Sequence, residues 1–122
     1  MLRLAWGLRL PPADYAHNDL NLSNLLTDGE KITGVVDWDE FALGSRALDL
    51  IVPALDCQAL GAPAAAGPLL ARAAEIAGQD GLRCLVSYRA LATLAENIRE
   101  GQSPRADIQA ISAVLDRLRA SS

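Results

Sequence analysis

Two short apolar runs, Asn24-Leu25-Leu26-Thr27 and Lys31-Ile32-Thr33-Gly34-Val35-Val36, stand on either side of an Asp28-Gly29 turn. Asp-Gly between such runs is a strong local hairpin signal, because the turn needs residues that tolerate positive φ. A hairpin constrains more than its own strands. It draws its two open ends together, and here each end carries a polar motif. One is His17-Asn18-Asp19-Leu20-Asn21-Leu22-Ser23-Asn24; the other is Asp37-Trp38-Asp39. The hairpin therefore predicts Asn24 and Asp37 side by side, with Asp19 facing the same cavity.

The residue types point to phosphoryl transfer. A hydroxyl attacking phosphorus must lose its proton, and Asp19 is an acceptor for it. Mg²⁺ is a hard cation that takes oxygen ligands and keeps several waters, so one or two protein oxygens plus phosphates suffice. Asn24 and Asp37 can supply them. Such catalysis is mostly positioning and neutralisation of developing charge. The kinase loop H-R-D-L-x-x-x-N is met at every fixed position except Arg, where Asn18 stands. The D-F-G motif is met at its Asp, with Trp38 and Asp39 in place of Phe and Gly. Taken singly, these residues have plainer readings. Asp19 and Asn24 suit turns, Asp37 suits a helix cap, and a His beside an Asp is more often a structural hydrogen-bonder than a catalyst. The two motifs in order, with a hairpin between them, outweigh those readings.

From His17 to Leu50 the chain resembles the aminoglycoside phosphotransferase and choline kinase-like family of small-molecule kinases. The resemblance implies Asp19 as catalytic base, Asn24 and Asp37 as metal ligands, and His17 as an organiser of the loop. It makes Asp39 a nearby acid of variable role. Asp49, in Ala47-Leu48-Asp49-Leu50, would tie a helix start to the catalytic loop. ATP and Mg²⁺ follow as implied cofactors. The family more often has Gly after the His, so Asn18 is a departure that bears on loop geometry.

Composition narrows the remaining classes. The chain has 122 residues, so one domain is expected. Apolar residues make up 51% but aromatics only 4%, so Leu, Ala, Ile and Val must build the core. A net charge of −4 argues against a nucleic-acid binder, which needs a basic face. Cys57 and Cys84 form no CxxC pattern, and with a single His a zinc site is not expected. Free thiols fit a reducing, cytoplasmic setting. No run of about 18 apolar residues calls for a membrane span.

The only lysine, Lys31, lies in the Asp28–Lys31 turn, and no GxGxxG is present. Gly61-Ala62-Pro63-Ala64-Ala65-Ala66-Gly67 lacks P-loop spacing and reads as a linker. Residues 1–10 read as the tail of a helix or an arm, cut off by Pro11-Pro12, and 13–24 as a loop. A helix is expected from about 46 to 58, with Pro53 as a kink or end. Pro68 can start a second helix that Gly78 ends. Leu82, Leu85, Tyr88, Leu91, Leu94 and Ile98 mark a long helix stopped near Gly101. Ser103-Pro104 open a last helix with the stripe Ile108, Ile111, Leu115 and Leu118. The expected fold is α+β and mostly helical: a short β-hairpin carrying the motifs, followed by a helical bundle. Residues 1–122 would be the C-terminal, catalytic lobe of a kinase-like fold, with the N-terminal nucleotide lobe absent.

Three functions compete at this level. The first is the catalytic lobe of an ATP-dependent phosphotransferase acting on a small-molecule hydroxyl, inactive in isolation. The second is a non-enzymatic lobe that binds a partner or oligomerises. The third is a metal-dependent hydrolase using the acidic cluster. An acidic chain suits a cationic acceptor such as an amino sugar or choline. A lobe that lacks its neighbour leaves apolar surface, which another chain tends to cover. Self-association or a partner is therefore expected, with Met1–Leu10 (Leu2, Leu4 and Trp6 especially) in the contact.

Overall fold

A computed structural model of the protein describes residues 14–120. The Met1–Leu10 arm lies outside the described residues. Four short strands come first: β1 (Asp14–Ala16), β2 (Leu25–Thr27), β3 (Ile32–Val35) and β4 (Ala42–Gly44). Three helices follow: α1 (Leu48–Ala59), α2 (Pro63–Arg99) and α3 (Arg105–Ala120). The architecture is α+β and mostly helical, as the pattern requires.

The hairpin forms where the Asp-Gly turn predicts it. β2 and β3 pair antiparallel, Leu25 opposite Val35 and Leu26 opposite Gly34, with a bulge between Leu26 and Thr27. Gly29 takes φ +98°, which the turn needs and glycine alone adopts at no steric cost. Asp28 Oδ1 accepts the Glu30 and Lys31 amides, and those two bonds hold its carboxyl below the ordinary range.

A second two-stranded sheet corrects the reading of 13–24 as loop. β1 pairs antiparallel with β4, Asp14 opposite Gly44 and Ala16 opposite Ala42. Neither strand is long enough to show a periodicity of its own. The pairing is non-local, and it delivers His17 directly beside the segment that follows Asp37. Gly44 therefore ends a strand, and the helix starts at Leu48.

The core lies among the three helices. Ala47, Ile51 and Ala54 of the α1 region meet Ala66, Leu70, Ala73, Leu82, Leu85 and Val86 of α2, with Val114 and Leu118 of α3. The many alanines let the helices approach closely. Pro53 does not end α1, which runs on to Ala59. An interior proline costs about 3 kcal/mol or more, and burial of Ile51, Val52, Pro53 and Ala54 on one helix offsets it.

Residues 61–67 are not a loose linker. α2 begins at Pro63, where a missing N–H is no loss, and Ala64-Ala65-Ala66 are strong helix formers. Ala66 is fully buried in the core, so the segment is packed as well as helical. Arg117 of α3 donates to the Pro63 carbonyl and to Gln58 Oε1. Gly78, at φ +76°, breaks the helical backbone of α2 where a helix end was expected.

The two long apolar stripes are core only in part. Leu82 and Leu85 are buried, but Tyr88, Leu91 and Ile98 are exposed, while Val86 and Ala90 between them are buried. On α3 the buried face is Ala110, Val114 and Leu118, and Ile108 of the expected stripe is exposed. No helix among the described residues is long and apolar enough to cross a membrane.

Candidate active site

The first motif forms a tight loop between β1 and β2, and its backbone amides are held from a distance. Asp49, in the first turn of α1, accepts the His17 amide at 2.9 Å on Oδ2 and the Asn18 amide at 3.0 Å on Oδ1. Asp49 is half-buried rather than fully buried, and its expected tie to the loop is present. Hydrogen bonds to a charged acceptor are about twice as strong as neutral ones, so this carboxylate is a firm anchor.

His17 is 3% exposed and joins the two motifs. The Asp19 amide donates to its Nδ1 at 3.2 Å, which assigns the ring proton to Nε2. Nε2 lies 2.9 Å from the Val36 carbonyl and donates to it. The ring also packs on Trp38, centroids 4.7 Å apart. His17 is thus a strut between Asp19 and the residue before Asp37.

Asn18 takes φ +69°. That left-handed conformation explains why glycine suits the position, and asparagine is among the few other residues that tolerate it. Its Nδ2 donates to the Glu40 carbonyl, which ties the loop to the segment after Asp37. The departure from glycine is therefore accommodated. It also constrains Gly44, because a Cβ built there would lie 2.8 Å from Asn18 Oδ1. Gly44→Ala is expected to destabilise the protein by about 1–3 kcal/mol through overpacking, measured as a shift in the urea midpoint. Asn18→Gly in the same chain should recover most of that loss, since it removes the clashing side chain.

Asp19 is half-buried and its Oδ1 is engaged from two sides. Arg89 of α2 donates to it at 3.1 Å as an ion pair, and Asn21 Nδ2 at 3.3 Å. Its backbone carbonyl accepts Asn24 Nδ2 at 2.9 Å. With Nδ2 so used, Oδ1 is the acceptor atom of the Asn24 side chain. Asn24 is buried and ends a single 3-10 turn, Leu22–Asn24.

The Val36 amide donates to the Asn24 carbonyl at 2.9 Å, so Asp37 follows directly on Asn24's partner. Asp37 is exposed and takes φ +59°. Left-handed backbone at a non-glycine residue persists only where the surroundings impose it, and such residues cluster at functional sites. Asp39 is exposed, and its neighbour Glu40 lines the cleft beside Asp19.

That cleft has a volume of ≈ 810 Å³ and runs between the loop, β4 and α2. Its polar and aromatic lining includes Asp19, Glu40, Tyr88, Arg89, Glu96 and Arg99, with Asn18 and Ser45. Arg89 and Glu40 are the residues that sequence reasoning missed. Arg89 is one arginine on a helical stripe, 70 positions from Asp19, and only the fold brings the two together.

Asp56 closes the far side of the loop, where its Oδ2 accepts the Leu22 amide at 2.7 Å. Burial pushes its carboxyl above the ordinary value, the Leu22 amide and Arg89 pull it down, and Asp107 and Asp19 push it up again. The folded value is raised, so the stability linked to Asp56 is full in acid. It is lost as pH rises through that folded value.

The donor chemistry suits one kind of cation. No group of three His, Cys, Asp or Glu side chains among the described residues forms a metal cage. An amide oxygen and a carboxylate at neighbouring backbone positions fit a hard cation that completes its shell with water and phosphate, as Mg²⁺ does. The model of the phosphotransferase enzyme family matches residues 2–88. The chain therefore belongs to the phosphotransferase enzyme family. No curated protein and no solved structure matches the chain.

Proposed function

We propose that this chain is the catalytic lobe of an ATP-dependent phosphotransferase acting on a hydroxyl of a small, cationic molecule. The observation that carries this is the bond from Asn24 Nδ2 to the Asp19 carbonyl, made beside the hairpin bond that sets Asp37 next to Asn24. Asp19 and Asn24 are thereby held on one short piece of backbone, with Asp37 across the hairpin from it, next to Val36. Bound ATP with Mg²⁺ would supply the phosphoryl group and the cation that neutralises its charge. Asn24 and Asp37 would hold that cation. Asp19, fixed through Oδ1 by Arg89 and Asn21, would take the acceptor's proton on its other oxygen.

The cleft beside Asp19 falls in the size range of small-molecule sites, about 300–1,000 Å³. Glu40, Glu96 and Asp19 favour a cationic acceptor there, and Arg89 and Arg99 offset part of that charge. We further propose that the nucleotide is covered by a separate lobe. Leu26, Ile32, Val36 and Trp38 on the hairpin side are exposed and suit such a contact, or a second copy of the chain.

A Mg²⁺ titration followed by NMR tests the metal assignment. Saturable shifts at the Asn24 side-chain amide and the Asp37 backbone amide, lost in Asp37→Asn, are expected. Shifts confined to other acidic residues would overturn it. ATP turnover against amino-alcohols and amino sugars, joined to light scattering, tests the lobe division. Negligible turnover and self-association are expected. A strict monomer that phosphorylates an acceptor, with activity lost in Asp19→Asn, would overturn the division and leave the chemistry standing.

A further inference from the structure

Asp56 stands where its own helix does not favour it. It lies in the last turn of α1, where a negative charge opposes the helix dipole. It is half-buried, and Asp107 of α3 and Asp19 of the loop face it with like charge. Arg89 of α2 is the cation that faces it, and apolar groups such as Val52, Leu55 and Ile111 surround the same cavity. Helix dipole, burial and like charge all oppose a carboxylate here, and what favours it is the bond it makes to the Leu22 amide, larger than the pull of Arg89.

That bond goes to the Leu22 amide, the first donor of the turn that ends in Asn24. The turn's own N-cap, Asn21, makes no capping bond to it, so the N–H is left for an outside acceptor. Asp49 and Asp56 are seven residues apart on α1, two turns, so both face the loop about 10 Å apart along the axis. One holds the amides of His17 and Asn18; the other holds Leu22. Asp19 lies between the two anchor points, and Asn24 ends the turn that begins at the second.

We propose that Asp56 is a positioning residue for the site: its carboxylate holds the Leu22–Asn24 turn so that Asn24 keeps its amide on Asp19 and its oxygen toward the cation. The part of this that concerns the cation rests on the phosphotransfer reading.

The test is amide hydrogen exchange on the whole chain, in Asp56→Leu and Asp56→Asn. In Asp56→Leu the Leu22 amide should exchange about tenfold faster, the scale of one lost charge-assisted bond. Asn offers a neutral oxygen in the same place, so Asp56→Asn should bring the rate back to within about threefold. Ile51 and Val52, in the core of α1, should exchange at the unaltered rate in both. The Mg²⁺-induced shift at Asn24 should need about tenfold more cation in Asp56→Leu, matching the exchange effect. An unchanged Leu22 rate in Asp56→Leu would overturn the proposal. So would a rise shared by Leu22 and Ile51, which marks a weakened α1 and not a released loop. Should Asp56→Leu not fold, Asp56→Ala removes the acceptor without adding bulk and must show the same selective rise. An unaltered protein whose Asn24 ignores Mg²⁺ counts against the phosphotransfer reading, while the Leu22 exchange rates alone decide the clamp.

Discussion

Replacing Asp49 with alanine should lower the free energy of unfolding by about 2–4 kcal/mol, because two backbone donors lose a charged acceptor at once. The His17 and Asn18 amides both end on this carboxylate, and His17 is buried, so water replaces it poorly. For a chain of 122 residues that corresponds to a fall in the thermal midpoint of roughly 6–24 °C. Asp49→Asn keeps one acceptor oxygen and should cost about half as much. Urea unfolding with an unchanged slope is the check. A midpoint shift equivalent to less than about 0.5 kcal/mol, the size of an ordinary surface change, would mean the loop is held by other bonds.

His17→Ala should cost about 2–4 kcal/mol, the sum of a void left by the buried ring and two part-buried backbone groups that lose a partner. The Asp19 amide and the Val36 carbonyl both lose their partner. Trp38 loses the ring it packs on, so its near-ultraviolet signal should change in the folded state of the variant. The same substitution frees Asp19 relative to the Asp37 segment, and it should therefore weaken the Mg²⁺ response at Asn24 even where the protein remains folded. A variant with unaltered stability and an unaltered Trp38 signal would show that the ring does not bridge the two motifs.

Much of the site could be read along the chain because its signals are local. The Asp28-Gly29 turn dictates the hairpin, and the hairpin dictates that Asn24 and Asp37 become neighbours. Asp49 was legible as a tie because a carboxylate inside an apolar run needs donors near it. Family membership was legible for the same reason, since the two motifs lie within the matched residues 2–88.

Other features depend on sums of opposing terms that a local pattern does not contain. Gly61 to Gly67 reads as linker by its glycines and proline, yet the chain is helical from Pro63, with Ala66 buried and Arg117 bonded to the Pro63 carbonyl. Pro53 reads as a break, yet the packing of its neighbours keeps α1 whole. The strands β1 and β4 are three residues each, too short for any period, and exist only because they pair with each other.

Sequence alone therefore determined the hairpin, the order of the motifs and the family, because residue type and short-range spacing suffice for these. Tertiary structure decided which groups surround them. Arg89 on Asp19, Asp56 on Leu22 and Gly44 against Asn18 join positions 70, 34 and 26 residues apart. Contacts at such separations depend on how three helices pack, and packing depends on the volume and burial of the whole core, which no short stretch of the chain encodes.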